Sequence, residues 1–462
     1  MTMKDSRETG GKEDKRIYTM SKEKPAKAVV QMGVPLIAGM FIMVLYNLVD
    51  TFFIGLMHDD YQLAAVNLAY PVMMVTIALS NMVGTGASTL IARSIGAGET
   101  EKARQALTTG MVLTVITAAL ITAAGLVLLG PIVSGLGAKA NTTIYTSQYV
   151  RILLIGTVFT MGNYTFGALL RGEGSAGPSI LGMVIGTVVN IILDPVFIFA
   201  LGLEIRGAAI ATVIGNACGM GASLAMYMSG KSLLSPAGEY LAPRAEIVSE
   251  IYRIGVPAAL ETLLTSAAYI VNNNLAVAYG ELTVAAMGIA QKLMSLGNYI
   301  YQGFAAGVQP IMGYNFGAKD YRRMLDILKA GLLIVSAVEV CVMLIFGIFA
   351  PLLIGIFTDS ASVIETGSRV LRAIMFILPF VGATSMSRMS FQAMGKPMHA
   401  FGITLVRQLV LYIPLLLLMN RVWGFGGLIW AQPVTEVIMM AVSVRLLVRT
   451  IRGYSSSYMK EM

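Results

Sequence analysis

The stretch VLYNLVDTFFIGL at residues 44–56 holds one carboxylate, Asp50, in an otherwise apolar run. The run from Ala28 to Leu56 carries no other charge and is long enough to cross a bilayer. An ionised Asp at the centre of a membrane helix costs about 2.5–3.5 kcal/mol on insertion scales, so Asp50 has either a partner or a use. A second such acid, Asp194, lies in TVVNIILDPVFIF, with Asn190 four residues before it and so on the same helical face. Pro195 follows at once; its ring and missing N–H kink a helix and free a carbonyl. Tyr46 and Asn47 stand four and three residues before Asp50, and Thr212 lies early in the next apolar run.

Two carboxylates in one low-dielectric pocket resist ionising together, so one can load a proton from one side of the membrane and release it to the other. The same acids with Asn, Thr and Tyr oxygens also suit Na⁺, a hard cation that prefers oxygen ligands. The residue types leave both ions open. The plainer alternative is that Asp50 and Asp194 only cap polar backbone at a kink. Glu261, in GVPAALETLLTS, reads either as a second cation site or substrate counter-ion, or as a hydrogen-bonded Glu near a helix end. Asn47 and Asn163 are grouped with it as candidates for that second site. Lys292, Arg388, Arg407, Glu339 and Glu436 read more weakly, as structural partners of other charges.

These residues need apolar elements to hold them. The chain is 56% hydrophobic and only 13% charged, against about 25% in soluble domains. Apolar runs of helix length recur without the ten-residue alternation of a barrel, which predicts an all-α integral membrane protein. Twelve helices are expected at about 29–55, 63–92, 107–130, 146–170, 178–201, 207–229, 254–279, 284–311, 329–350, 369–394, 398–419 and 425–447. The chain also repeats itself. MGVPLIAGM at 32–40 answers IGVPAALET at 254–262, and GAGETEKARQAL at 96–107 answers GAKDYRRMLDIL at 317–328. Two further blocks, 64–71 with 285–292 and 177–199 with 396–418, keep nearly the same offset, which argues for a duplication. Six helices per copy bring both copies in from one side, so a pseudo-two-fold axis along the membrane normal relates two six-helix lobes.

The expected organisation is a cytoplasmic tail at 1–27, a first lobe at 28–229, a linker at 230–253, a second lobe at 254–450 and a cytoplasmic tail at 451–462. Outside the spans, Lys and Arg gather on the side of the termini; the opposite loops hold only Lys139, Arg151, Arg206, Arg369, Arg372 and Arg421. By the positive-inside rule both termini are cytoplasmic, in a plasma or inner membrane. The net charge of +8 then reflects cytoplasmic loops facing anionic lipid, not nucleic acid. In the second copy, Leu409 and Ile413 stand where the first has Asn190 and Asp194, while Pro414 keeps the place of Pro195. Only the first lobe is therefore expected to carry the acidic site. Cys218, Cys341, His58 and His399 form no metal or disulfide pattern, and no Gly-Lys-Ser/Thr phosphate loop occurs, so neither a cofactor nor ATP is expected. The 31 Met residues suit a surface that accepts many apolar shapes, although single Met residues mostly fill gaps.

Together LYNLVDTFFIG, LRGEGSAGP, NIILDPVFIF and GAKDYRR, in that order over the duplicated spans, resemble the multidrug and toxic compound extrusion (MATE) family. The Tyr–Asp pattern, the Asn-x-x-x-Asp and the Thr look most like its DinF-like branch. The resemblance implies a V-shaped antiporter that exports amphipathic, often cationic compounds against H⁺ or Na⁺, acts as a monomer and is no enzyme. It implies a cation site of Asp50 and Asp194 with Asn190, Tyr46 and Thr212. Another branch uses acids of spans 7 and 10; Glu261 is placed like the first, but span 10 offers no aspartate. The alternative is a flippase for a lipid-linked precursor, which predicts a cationic cavity for which Arg388 and Arg407 are the candidates.

Overall fold

The computed structural model describes residues 14–57, 59–230 and 232–461; the side chains of Tyr46, Asn47 and Asp50, and the whole of His58 and residues 1–13, lie outside the described set. Every regular element among the described residues is helical. A short α1 (Lys15–Ser21) precedes the first lobe, which comprises α2 (Pro25–Gly55), α3 (Asp60–Gly96), α4 (Thr100–Val127), α5 (Leu129–Gly135), α6 (Ala140–Ile155), α7 (Thr157–Gly172), α8 (Ala176–Pro195) and α9 (Glu204–Met228). The second comprises α10 (Ala245–Val277), α11 (Glu281–Gly317), α12 (Tyr321–Ile348), α13 (Ala350–Gly355), α14 (Ala361–Met375), α15 (Leu378–Ala393), α16 (Pro397–Leu405), α17 (Ile413–Trp423) and α18 (Phe425–Glu461). Two passes are bent pairs, α6–α7 at 51° and α14–α15 at 41°. Counting each as one, the described residues make twelve helical passes in two lobes.

The duplication is visible in irregular features. Short α5 follows α4 as short α13 follows α12, and the two bent passes correspond. Left-handed turns recur at Gly174 and Gly395 (φ 82° and 68°) and at Gly202 and Gly424 (φ 62° and 54°), each pair ending or starting equivalent helices. The predicted proline kinks take the form of π-helical turns, Val196–Ala200 just after Pro195 and Val406–Tyr412 just before Pro414.

Some boundaries differ from expectation. α10 starts at Ala245, inside the stretch read as linker, because Ile247 and Ile251 recur at helical spacing and bury in the first lobe's core. α18 continues to Glu461 where a tail was expected. The described part of the N-terminal stretch also includes a helix, α1. The carbonyls that end α1 accept from the second lobe: Met20 O from Asn315 Nδ2 at 2.9 Å and Arg323 Nε at 3.0 Å, and Glu23 O from Arg323 Nη2 at 2.8 Å. Met20 is fully buried and lies against the turn at Gly174 of the first lobe, so α1 touches both halves.

Among the described residues four apolar clusters make up the core. The two nearest the termini each mix lobes: Val29 and Met32 pack with Phe304, Val308 and Met324, while Ile247 and Ile251 pack with Val83 and Leu107. The two at the other end draw on one lobe each. The lobes are thus joined at the termini end and parted at the other.

Candidate functional site

A cavity of about 130 Å³ lies inside the first lobe, walled by α3, α7, α8 and α9 with Met43 of α2. The seam between α8 and α9 is built from glycines four apart, Gly182 and Gly186 facing Gly215 and Gly219. A Cβ at Gly215 would sit 2.6 Å from the Gly186 carbonyl oxygen, and one at Gly219 2.7 Å from Asn163 Oδ1. Small residues let two membrane helices approach closely, and here they admit polar side chains between them.

Those side chains form a ladder. Asn163 Nδ2 donates to Asn216 Oδ1 at 3.1 Å, and Asn216 Nδ2 to the Thr212 carbonyl at 3.0 Å. Asn190 Nδ2 is shared between Thr212 Oγ1 at 3.4 Å and Asp194 Oδ1 at 3.3 Å. Asn190, Asp194 and Thr212 are all buried. The structure therefore brings together three of the predicted site residues. Asn163, grouped with Glu261 at the sequence level, belongs instead to this ladder. Asp50, Tyr46 and Asn47 are on α2, and their side chains lie outside the described residues.

The constellation has the chemistry for a cation. Asn190 Oδ1 and Asn163 Oδ1 are buried acceptors with no donor among the described residues. A buried acceptor left unpaired costs about 1–3 kcal/mol, which a bound cation or water offsets. With the Asp194 carboxylate and Thr212 Oγ1, the site offers an anionic and several neutral oxygens to a proton, a hydrated proton or Na⁺.

Glu261 sits in a different environment. Its Oε2 meets Arg388 Nη1 at 2.5 Å, and Gln392 Nε2 donates to both carboxylate oxygens at 3.2 Å. Of the two readings given for Glu261, this pairing fits the hydrogen-bonded Glu: its charge is matched across α10 and α15, in an interior where a lone carboxylate is costly. Arg407 is likewise held by Glu436 at 2.5 Å. Neither arginine is left to make a cationic cavity.

Sequence reasoning missed Asn216 and Arg171, which line the cavity, and the glycine seam. GMVIG at 182–186 and GNACG at 215–219 were the available signal, since two Gly-x-x-x-Gly motifs on consecutive spans mark a close crossing.

The family profile described as MatE matches twice, at residues 35–196 and 257–418, once per lobe. The chain is 28% identical to "Multidrug export protein MepA" of Staphylococcus aureus (strain MRSA252) over 95% of its own length and 97% of that protein. Among solved structures it resembles a MATE protein crystallised in complex with MaL6, with a TM-score of 0.91 and 27% identity over 96% of this chain and 100% of the other. It also resembles an outward-facing multidrug resistance MATE transporter of the MOP superfamily, with a TM-score of 0.90 and 27% identity over 96% of this chain and 99% of the other.

Proposed function

The chain belongs to the MatE family of multidrug efflux transporters, and we propose that it is an antiporter, exporting amphipathic, often cationic compounds in exchange for H⁺ or Na⁺ by alternating access. The observation that carries this is the buried Asn190–Asp194–Thr212 group beside the first-lobe cavity, in a molecule whose lobes are joined at one end only. With both termini cytoplasmic, that arrangement is an outward-facing state, in keeping with the outward-facing relative.

In the proposed cycle, substrate enters between the lobes from the cytoplasm and the molecule turns outward. A cation then reaches Asp194, with Asp50 from α2 as its second carboxylate. Neutralising the pair lets α2, α8 and α9 close on the cavity, about the π turn after Pro195, and substrate loses its contacts. Only a cation that binds one state more tightly than the other can drive this shift. A cation bound at Asp194 and absent from the inward state supplies that difference.

The test uses purified protein in proteoliposomes with ethidium and separately imposed proton and Na⁺ gradients. Movement driven by one gradient and lost in Asp194→Asn and Asp50→Asn supports the antiporter and identifies its ion. Wild-type export by both variants, at equal protein levels, sinks it.

A further inference from the structure

We infer that the end of the first-lobe cavity nearest the termini is a binding site for the oxyanion of an amphipathic substrate, a carboxylate or phosphate-type group held by Arg171. This rests on the cavity being part of the substrate path and narrows the class of compound it takes.

Arg171 is in the last turn of α7 and lines the cavity. Helical side chains lean toward the N-terminus of their helix, so the guanidinium lies back along α7. It passes over Gly167, where an added Cβ would stand 3.7 Å from Arg171 Nη1. The tighter neighbour of that Cβ is the Ser179 carbonyl oxygen at 3.0 Å, so the guanidinium lies beside the place where α7 meets α8.

Among the described residues no carboxylate meets the charge there. Arg388 and Arg407, the other arginines deep in the bundle, each meet a carboxylate at 2.5 Å. Arg171 has neither an ion pair nor a hydrogen-bond acceptor among the described residues, and no described Asp or Glu lines the cavity. Glu173, its nearest acid in sequence, faces the interlobe linker and accepts from Ser232 Oγ and from the N–H of Leu233 at 3.0 Å. An unpaired charge taken out of water costs several kcal/mol. A counter-charge brought by the ligand removes that cost, and the planar guanidinium fork fits a carboxylate or phosphate bidentately.

The cavity also sets the shape of the rest of the ligand. On α8 it extends from Ser179 to Asn190, about 16 Å at 1.5 Å per residue. Met73, Met183 and Ile77 give it an apolar wall between the Arg171 end and the Asn190 end. Asp194 lies one turn beyond Asn190, so the two ends differ in sign. The fit is to an amphiphile with an oxyanion at one end, and to a zwitterion whose cationic group lies toward Asp194.

The test measures binding to the purified full chain in detergent. The probes are two fluorescent amphiphiles that differ only in ending in a carboxylate or its methyl ester. The acid is expected to bind about tenfold more tightly, the scale of a charge-assisted hydrogen-bonded pair. Arg171→Gln should abolish the preference without changing ester binding, and Arg171→Lys should retain part of it. Competition assigns the natural source: displacement by inorganic phosphate points to a free oxyanion, and displacement by short-chain phosphatidylglycerol alone to a lipid headgroup. Equal affinity for acid and ester in the wild type overturns the site whether or not a variant folds; so does a preference that survives Arg171→Gln. If the preference holds and no gradient moves ethidium, the antiporter reading fails and the site stands.

Discussion

Glu261 and Asp194 are both acids buried in the bundle, yet they differ in what surrounds them. Glu261 meets a guanidinium and an amide; Asp194 meets Asn190 beside an open cavity. The first arrangement sets a carboxylate against a cation, and the second sets one within hydrogen-bond reach of a neutral amide. Glu261→Gln should therefore act on stability: it strands Arg388 in a buried site, at a cost of about 3–5 kcal/mol. Thermal unfolding in detergent should show the loss, and Glu261→Gln with Arg388→Met should recover most of it. Ion-driven dye export by whatever folded Glu261→Gln protein remains should persist; its selective loss would reassign the coupling site to the second lobe. Asn216→Leu should behave the other way, leaving the fold largely intact while weakening cation dependence, because it cuts the ladder between Asn163 and Thr212.

Two elements on the termini side tie the lobes together. Helix α1 is held by Arg323, which donates to the Thr19, Met20 and Glu23 carbonyls. Arg323→Ala removes charge-assisted bonds from a helix end that has few other partners. Hydrogen exchange at residues 15–24 should then rise by about tenfold or more, with the spans unchanged. The linker between lobes is held by Glu173, buried in the turn after α7, with Arg16 Nη1 at 4.0 Å. Burial pushes the Glu173 carboxyl up from 4.5 to about 7, against the opposing pull of its hydrogen bonds from Ser232, Leu234 and Leu233. A raised acid pKa makes the unfolded or undocked state the readier to lose a proton. The stabilisation is then full below 4.5 and is lost as pH rises toward about 7. The unfolding temperature should fall across that window, by the equivalent of at most about 3 kcal/mol. Glu173→Gln should flatten the profile; a wild-type profile that is level there would refute it.

At the scale of the whole molecule, the joined end is a pseudo-symmetric crossing. A Cβ at Gly96 would collide with the Tyr314 carbonyl, and one at Gly317 with the Arg93 carbonyl; the two contacts are equivalent under the duplication. Backbones this close leave no room for a side chain, so Gly96→Val and Gly317→Val should each prevent this closure. Site-directed spin labels across the termini end should report a larger separation than in wild type, with lobe cores intact. An unchanged distance would mean that the crossing does not set the conformation.

The twelve passes, the two copies and the Asn190–Asp194–Thr212 group were all legible in the chain, because hydropathy and helical spacing are local properties and a bilayer forces each apolar run to satisfy its own backbone. The asymmetry between copies was legible too, since Leu409 and Ile413 replace the polar pair outright. Three things belonged to the tertiary structure. Pairing assigned Glu261 to Arg388, residues 127 positions apart whose meeting depends on how α10 and α15 pack. Close crossing of α8 and α9 drew Asn163 and Asn216 into the ladder, a consequence of glycines whose effect exists only once two helices touch. The cavity left Arg171 without a counter-charge among the described residues, and whether a charge has a partner is a property of three-dimensional neighbours that no spacing along one helix encodes.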